Sequence, residues 1–144
     1  MTTAELRGIP KRLGHVALRV RDVDRAVAFY TEILGLQLKL QGRGAAFLSA
    51  GDDSSHELAL MPLPPEAEGP DADRVGMYHM AWEMGSFEEL EQLQQRLKAR
   101  DVEIVGYSEV QCNVMFLDPD GNELEAIWEP SPDLSDRPTQ PLTP

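Results

Sequence analysis

The chain carries an internal duplication, and that repeat constrains its fold more than any other feature. Gly14-His15-Val16-Ala17-Leu18-Arg19-Val20 and Tyr78-His79-Met80-Ala81-Trp82-Glu83-Met84 each read as a strand opened by a histidine, and each precedes a helical pattern. The offset between copies is 64 positions from His15 to His79, 69 from Phe47 to Phe116 and 66 from Ala59 to Glu125. A drifting offset means that insertions and deletions fall in turns, where they are tolerated. Two related strands can bring residues far apart in sequence onto one site.

The first unit spans residues 13–61. Val16, Leu18 and Val20 alternate with His15, Ala17 and Arg19, the period of a half-buried strand. Asp22 or Asp24 can cap the helix that follows, whose apolar positions are Val23, Ala26, Val27, Tyr30, Ile33 and Leu34, with Gly35 as its stop. Three strand patterns complete the unit, at Leu36 to Leu40, Ala45 to Leu48 and His56 to Met61. Residues 62–75 form a proline-rich linker. The second unit, residues 76–130, repeats the order. Ser86 and Glu89 make a capping box, and Phe87, Leu90, Leu93 and Leu97 form an apolar stripe. Strands follow around Val102 and Ile104, at Asn113 to Leu117 and at Glu123 to Trp128, with Asp118-Pro119-Asp120-Gly121-Asn122 as the turn between the last two. Residues 1–12 read as an N-terminal extension, and residues 131–144 as a proline-rich tail, extended or disordered.

At 144 residues the chain is most simply one domain, or two intertwined halves of one. A chain of this size buries roughly 70% of its unfolded surface, enough for a core without disulfide staples. A net charge of -12 argues against nucleic acid or an anionic membrane as partner. Cys112 is the only cysteine and reads as an inert buried thiol; no disulfide can form within the chain, which suits a reducing cytoplasm. No run has the length of a membrane span, and the stretch from Met1 to Lys11 lacks the apolar core of a signal peptide. The expected setting is a soluble, cytoplasmic one.

Strand alternation sorts the chemistry. Val16, Leu18, Val20, Met80, Trp82, Met84, Leu124, Ala126 and Trp128 are assigned to the helix-packed faces. That leaves His15, His79 and Glu125 together on the helix-free face, with Glu123 beside them as the rival carboxylate, read as a solvated rim charge. Two neutral imidazoles and one carboxylate suit a divalent metal and leave positions open for substrate.

In their joint order these motifs resemble the vicinal oxygen chelate superfamily, which includes glyoxalase I, bleomycin-resistance proteins and type I extradiol dioxygenases. The resemblance rests on Gly14-His15-Val16-Ala17-Leu18, Asp22-Val23-Asp24-Arg25-Ala26, Phe29-Tyr30 and Leu34-Gly35-Leu36 in the first unit. Tyr78-His79-Met80-Ala81 and Asp118-Pro119-Asp120-Gly121-Asn122-Glu123-Leu124-Glu125 carry it in the second. It implies an α+β fold of two βαβββ modules forming a U-shaped mixed-sheet cleft with the helices outside, around a metal held by His15, His79 and Glu125. It also implies a homodimer whose modules pair within or between chains, and a small-molecule substrate.

Ligand count discriminates within the superfamily. Glyoxalase-like members add a second carboxylate, but Ala59 stands at that position, with Glu57 nearby. The remaining two histidines and one glutamate resemble the facial triad of the dioxygenases, implying Fe(II), with Mn(II), Ni(II) or Zn(II) accepted by the same ligands, and O2 as co-substrate. His56 falls where those enzymes carry an acid/base histidine, although strict alternation would point it to the helix side with Leu58 and Leu60. Met115 replaces their substrate-binding tyrosine, and Tyr107 is the candidate substitute. The leading expectation is a dioxygenase-like enzyme acting on a catecholic or other vicinal-oxygen substrate. The alternatives are a glyoxalase-like isomerase or lyase, and a non-catalytic protein that binds an antibiotic or other small molecule.

Overall fold

A computed structural model describes residues 7–51 and 55–130; the expected tail at 131–144 lies outside the described residues. Strand β1 (Val16–Val20) leads into helix α1 (Val23–Glu32), then β2 (Gln37–Gly42), β3 (Ala45–Ser49) and β4 (Leu58–Pro62). The second module repeats this with β5 (Met80–Glu83), α2 (Phe87–Ala99), β6 (Ile104–Ser108), β7 (Asn113–Leu117) and β8 (Glu123–Ile127). Two mixed four-stranded sheets result, ordered β1-β4-β3-β2 and β5-β8-β7-β6, and the fold is α+β. In each, the first strand runs parallel to the last and the others pair antiparallel.

Local chemistry sets the helix limits. The Asp22 side chain accepts from the Arg25 amide at 3.0 Å, and the Ser86 hydroxyl accepts from the Glu89 amide at 3.1 Å. Each satisfies one of the orphan donors at a helix start, an effect of about 1 kcal/mol. After α1, Gly35 turns the chain at φ +84, and the Leu36 amide reaches back to the Tyr30 carbonyl at 2.9 Å. Glycine takes that conformation without steric penalty.

The two modules match position by position. Ala59 lies opposite Ala17, and Glu125 lies opposite Ala81. Phe47 pairs with Ala59, and Met115 pairs with Glu125. The twin of Phe47 is therefore Met115, not Phe116 as the sequence offset suggested; Phe116 sits in the core with Leu48. Both second strands carry an irregularity at the same place, between Leu38 and Leu40 in β2 and between Ile104 and Gly106 in β6.

One core serves both modules. It joins Leu18, Val20, Leu48, Leu58 and Leu60 of the first sheet to Val114, Phe116, Leu124 and Ala126 of the second, with Ala26, Phe29 and Tyr30 of α1 and Leu90, Leu93 and Leu97 of α2. Burying each such leucine contributes about 1.5–3 kcal/mol. The helix-bearing side of each sheet thus faces shared apolar packing. β1 and β5, the strands that follow the two histidines, each pair on one side only among the described residues and do not pair with each other. The two sheets of one chain are therefore not joined through these strands.

Polar contacts fix the modules to each other. The Arg21 amide donates to Asp120 Oδ1 at 3.0 Å, and the guanidinium groups of Arg21 and Arg25 reach the same oxygen at 3.2 and 3.4 Å. The Tyr30 hydroxyl donates to Asp118 Oδ2 at 2.8 Å. Arg96 Nε donates to the Ile33 carbonyl at 2.7 Å. The segment 118–122, expected only to turn the chain, is also the anchor between modules.

Candidate metal centre

His79 stands immediately before β5, two residues from Ala81, which lies opposite Glu125 on the parallel neighbour β8. Side chains two apart in an extended chain share a face, so the imidazole and the carboxylate meet. His79 Nε2 is 2.9 Å from Glu125 Oε2. The other carboxylate oxygen, Oε1, accepts from Asn113 Nδ2 at 2.9 Å. Asn113 lies on β7 at the same parity as Met115, the residue opposite Glu125. Glu125 is 8% exposed, and a carboxylate so placed needs bonded partners.

On the far side of the ring, His79 Nδ1 lies 3.6 Å from Glu123 Oε2, and both atoms are buried without a hydrogen-bond partner. Glu123 is therefore not the solvated rim charge expected. A neutral imidazole has one N–H and one lone pair and cannot donate to both carboxylates. Either a second proton or a cation is needed to satisfy this arrangement.

The first module holds a different pair. The His15 and His56 rings lie against each other, tilted by 36° with centroids 4.6 Å apart, and His56 and Phe47 meet edge to face at 5.2 Å. Phe47 pairs with Ala59, on the helix-free face, so His56 belongs to that face and not to the helix side that alternation gave it. The reason is local. β4 begins at Leu58, so His56 precedes the strand and escapes its parity.

The predicted site residues thus fall into two groups. His79 and Glu125 are together; His15 and His56 are together. Among the described residues no group of three or more His, Cys, Asp or Glu side chains is placed to hold a metal ion, so His15 does not join His79 and Glu125 within one chain. Tyr107 pairs with Val114, a core residue, and lies on the opposite face of the sheet from Glu125. The irregularity in β6 sets Gly106, not Tyr107, opposite Met115. Tyr107 therefore does not stand in for the missing tyrosine. Its phenol is raised above 10.0 by partial burial and then by the carboxylates of Glu109 and Glu91. Cys112, expected to be buried, is partly exposed, with its thiol 3.3 Å from the Glu109 carbonyl.

Sequence reasoning passed over Asn113 as a strand residue. The available signal was a polar side chain at the face position that Met115 and Leu117 continue.

The donor set suits a divalent ion. Ligand atoms at about 2.1 Å from a metal and at right angles lie about 3 Å apart, close to the observed spacing of His79 Nε2 and Glu125 Oε2. A borderline nitrogen and a hard oxygen accept iron, manganese or zinc.

Two βαβββ modules, each with a histidine ahead of its first strand and the second with Glu125 in its last, make up the fold. A family model described as the Glyoxalase/Bleomycin resistance protein/Dioxygenase superfamily matches residues 12–126, and the chain belongs to that superfamily. It is 33% identical over 117 residues to the glutathione transferase FosA of Serratia marcescens, covering 78% of this chain and 77% of that one. It is 25% identical over 116 residues to biphenyl-2,3-diol 1,2-dioxygenase 2 of Rhodococcus globerulus, covering 79% of this chain and 60% of the relative. Among solved structures, a lactoylglutathione lyase from Agrobacterium tumefaciens superposes with a TM-score of 0.63 at 26% identity, covering 83% of this chain and 94% of that one. A glyoxalase/dioxygenase from Nostoc punctiforme has the same fold, with a TM-score of 0.73 at 21% identity, covering 91% and 97% of the two chains. No helix among the described residues is long and apolar enough to cross a membrane.

Proposed function

We propose that this chain is a metal-dependent dioxygenase-type enzyme for a catecholic or other vicinal-oxygen substrate, working as a homodimer. His79 and Glu125 of one copy and His15 of a second copy would hold the cation, Fe(II) or Mn(II). The division of the ligands supports the dimer, since His79 and Glu125 meet within one chain while His15 stands with His56. The outer sides of β1 and β5, unpaired among the described residues, offer the edges along which two copies can pair.

The observation that carries the enzymatic reading is the contact of the His56 ring with His15, 4.6 Å between centroids. It puts a titratable imidazole, not itself in the ligand set, beside a candidate ligand. A cation bound there would lower the pKa of a substrate hydroxyl and orient the reactants. His56 takes the hydroxyl proton and returns it to the product, within general acid–base chemistry. Ser55 Oγ, 3.1 Å from His56 Nδ1, fixes the ring. Phe47 supplies an apolar wall against the same imidazole. Asn113 holds Glu125 in its orientation. Met115, opposite Glu125, offers no hydrogen bond to substrate, so orientation falls to chelation and to His56.

The 33% identity over 77% of a glutathione transferase favours a second reading, metal-assisted addition of a thiol to a small molecule. The two separate in one assay. Oxygen uptake with catechols marks the dioxygenase; anaerobic consumption of glutathione marks the transferase.

The test of assembly is complementation. His15→Ala and His79→Ala should each be inactive, and co-refolding them should restore about a quarter of wild-type activity, because a statistical mixture is half heterodimer with one intact site each. No recovery from two well-folded variants would rule out a site shared between copies.

A further inference from the structure

We infer that Glu123 is a positioning residue for His79, holding its Nδ1–H so that the Nε2 lone pair is presented beside Glu125; this rests on the metal reading proposed above. Glu123 and Glu125 project from the same face of β8, one toward each nitrogen of the same ring. Glu125 has a partner for its second oxygen in Asn113. Glu123 Oε2 and His79 Nδ1 have none, although both are buried. Leaving a buried donor or acceptor unmet costs about 1–3 kcal/mol, so two such atoms 3.6 Å apart are each other's remedy. The gap exceeds a hydrogen bond, and a small rotation of the ring or of the Glu123 side chain closes it.

Only one tautomer satisfies the site once a cation is present. A metal at Nε2 takes that nitrogen's lone pair, and the ring proton must then sit on Nδ1. Glu123 is the acceptor facing it. The opposite tautomer donates Nε2–H to Glu125 and sets the Nδ1 lone pair against the Glu123 carboxylate, acceptor against acceptor. A carboxylate behind a ligating imidazole fixes its orientation and raises its basicity, and loss of such a partner typically costs about 10–100-fold in metal affinity. In the first module the residue at the place of Glu123 is Glu57, whose side chain accepts from the Ala50 amide at 2.9 Å. That acid is turned to the backbone of its own module.

The experiment uses full-length protein in three forms: wild type, Glu123→Ala and the isosteric Glu123→Gln. Long-range 1H–15N correlation spectra of the Zn(II)-loaded protein report the His79 ring proton and its exchange with solvent, and with three histidines in the chain assignment by single substitution is direct. Wild type and Glu123→Gln, whose amide oxygen still accepts, should show a His79 Nδ1–H protected from exchange. Glu123→Ala should leave that proton exchanging freely. Mn(II) titration should show about 10–100-fold weaker binding for Glu123→Ala and a smaller loss for Glu123→Gln, while Glu83→Ala, an exposed acid on β5, leaves affinity unchanged. An Nδ1 proton that exchanges as fast in wild type as in Glu123→Ala, or an unchanged Mn(II) affinity in Glu123→Ala, overturns the inference. Failure of wild type to bind Mn(II), Fe(II) or Zn(II) would sink the metal reading instead, and ring-proton exchange in the metal-free wild type and Glu123→Ala would still decide the role of Glu123.

Discussion

The Tyr30 hydroxyl, at the end of the first module's helix, donates to Asp118 Oδ2 of the second module at 2.8 Å. Asp118 also accepts from the Asp120 and Asn122 amides and from Asn122 Nδ2, each at 2.9 Å. The residue that ties the modules together therefore also shapes the turn into β8, the strand bearing Glu123 and Glu125. Tyr30→Phe should cost about 1.5–3 kcal/mol, the value of a hydrogen bond to a charged acceptor. Denaturant unfolding at pH 7 measures it, and a loss below about 0.5 kcal/mol would show the bond to be dispensable.

Burial, and then the Asp118 carboxylate, hold the Tyr30 phenol well above its ordinary value of 10.0. The folded state prefers the protonated phenol. Its contribution is complete below about pH 10 and is lost as pH climbs from there through the raised folded value. Wild type should thus lose stability more steeply than Tyr30→Phe above about pH 10. Parallel slopes for the two proteins between pH 9 and 11.5 would refute this.

Asp120 gathers Arg21 and Arg25 at a position where its own side chain is 5% exposed and that of Arg21 is 25% exposed. Asp120→Ala leaves two guanidinium groups without their carboxylate. The expected loss is about 2–3 kcal/mol, below that of a fully buried pair because solvent reaches both arginines. Calorimetry should show a fall in Tm of roughly 8–12 °C.

Asn113→Ala frees Glu125 Oε1 without touching the proposed ligands. Mn(II) affinity should fall about 10–100-fold while the circular dichroism spectrum is kept. Isothermal titration reads the change; an unaltered affinity would mean that Asn113 does not orient the carboxylate.

His56→Ala removes the proposed acid/base and leaves His15, His79 and Glu125 intact. Turnover should drop about 10²–10⁴-fold with metal stoichiometry unchanged. If the rate holds, His56 leaves the mechanism and keeps only its packing against His15 and Phe47.

Much of this was legible in the sequence because it is local. Asp22 and Ser86 announce their helices through side-chain geometry that depends on three residues. Alternation correctly put His79 and Glu125 on one face, since the parallel register of β5 and β8 preserves parity over a short span. Alternation failed where the strand is not regular. His56 precedes β4 and turns to His15, and the irregularity in β6 carries Tyr107 to the core side of the sheet. The equivalence of Phe47 with Met115 emerged only from pairing register. The arrangement of the modules was the least accessible. It depends on Asp118 and Asp120 reaching across to Tyr30, Arg21 and Arg25, contacts that no periodicity encodes.

Ala59 occupies in β4 the place that Glu125 holds in β8. A pair of equal halves would surround an ion evenly; here one half carries a methyl group where the other carries an acid. In the proposed site shared between copies, an ion on the remaining donors would lack a protein ligand on the first-module side, where Phe47 and His56 lie. A chelating molecule would have to approach from that flank, with one of its two faces against the aromatic rings. A carboxylate on one side only would thus give the duplicated scaffold handedness, and with it a means of telling the two faces of a flat substrate apart.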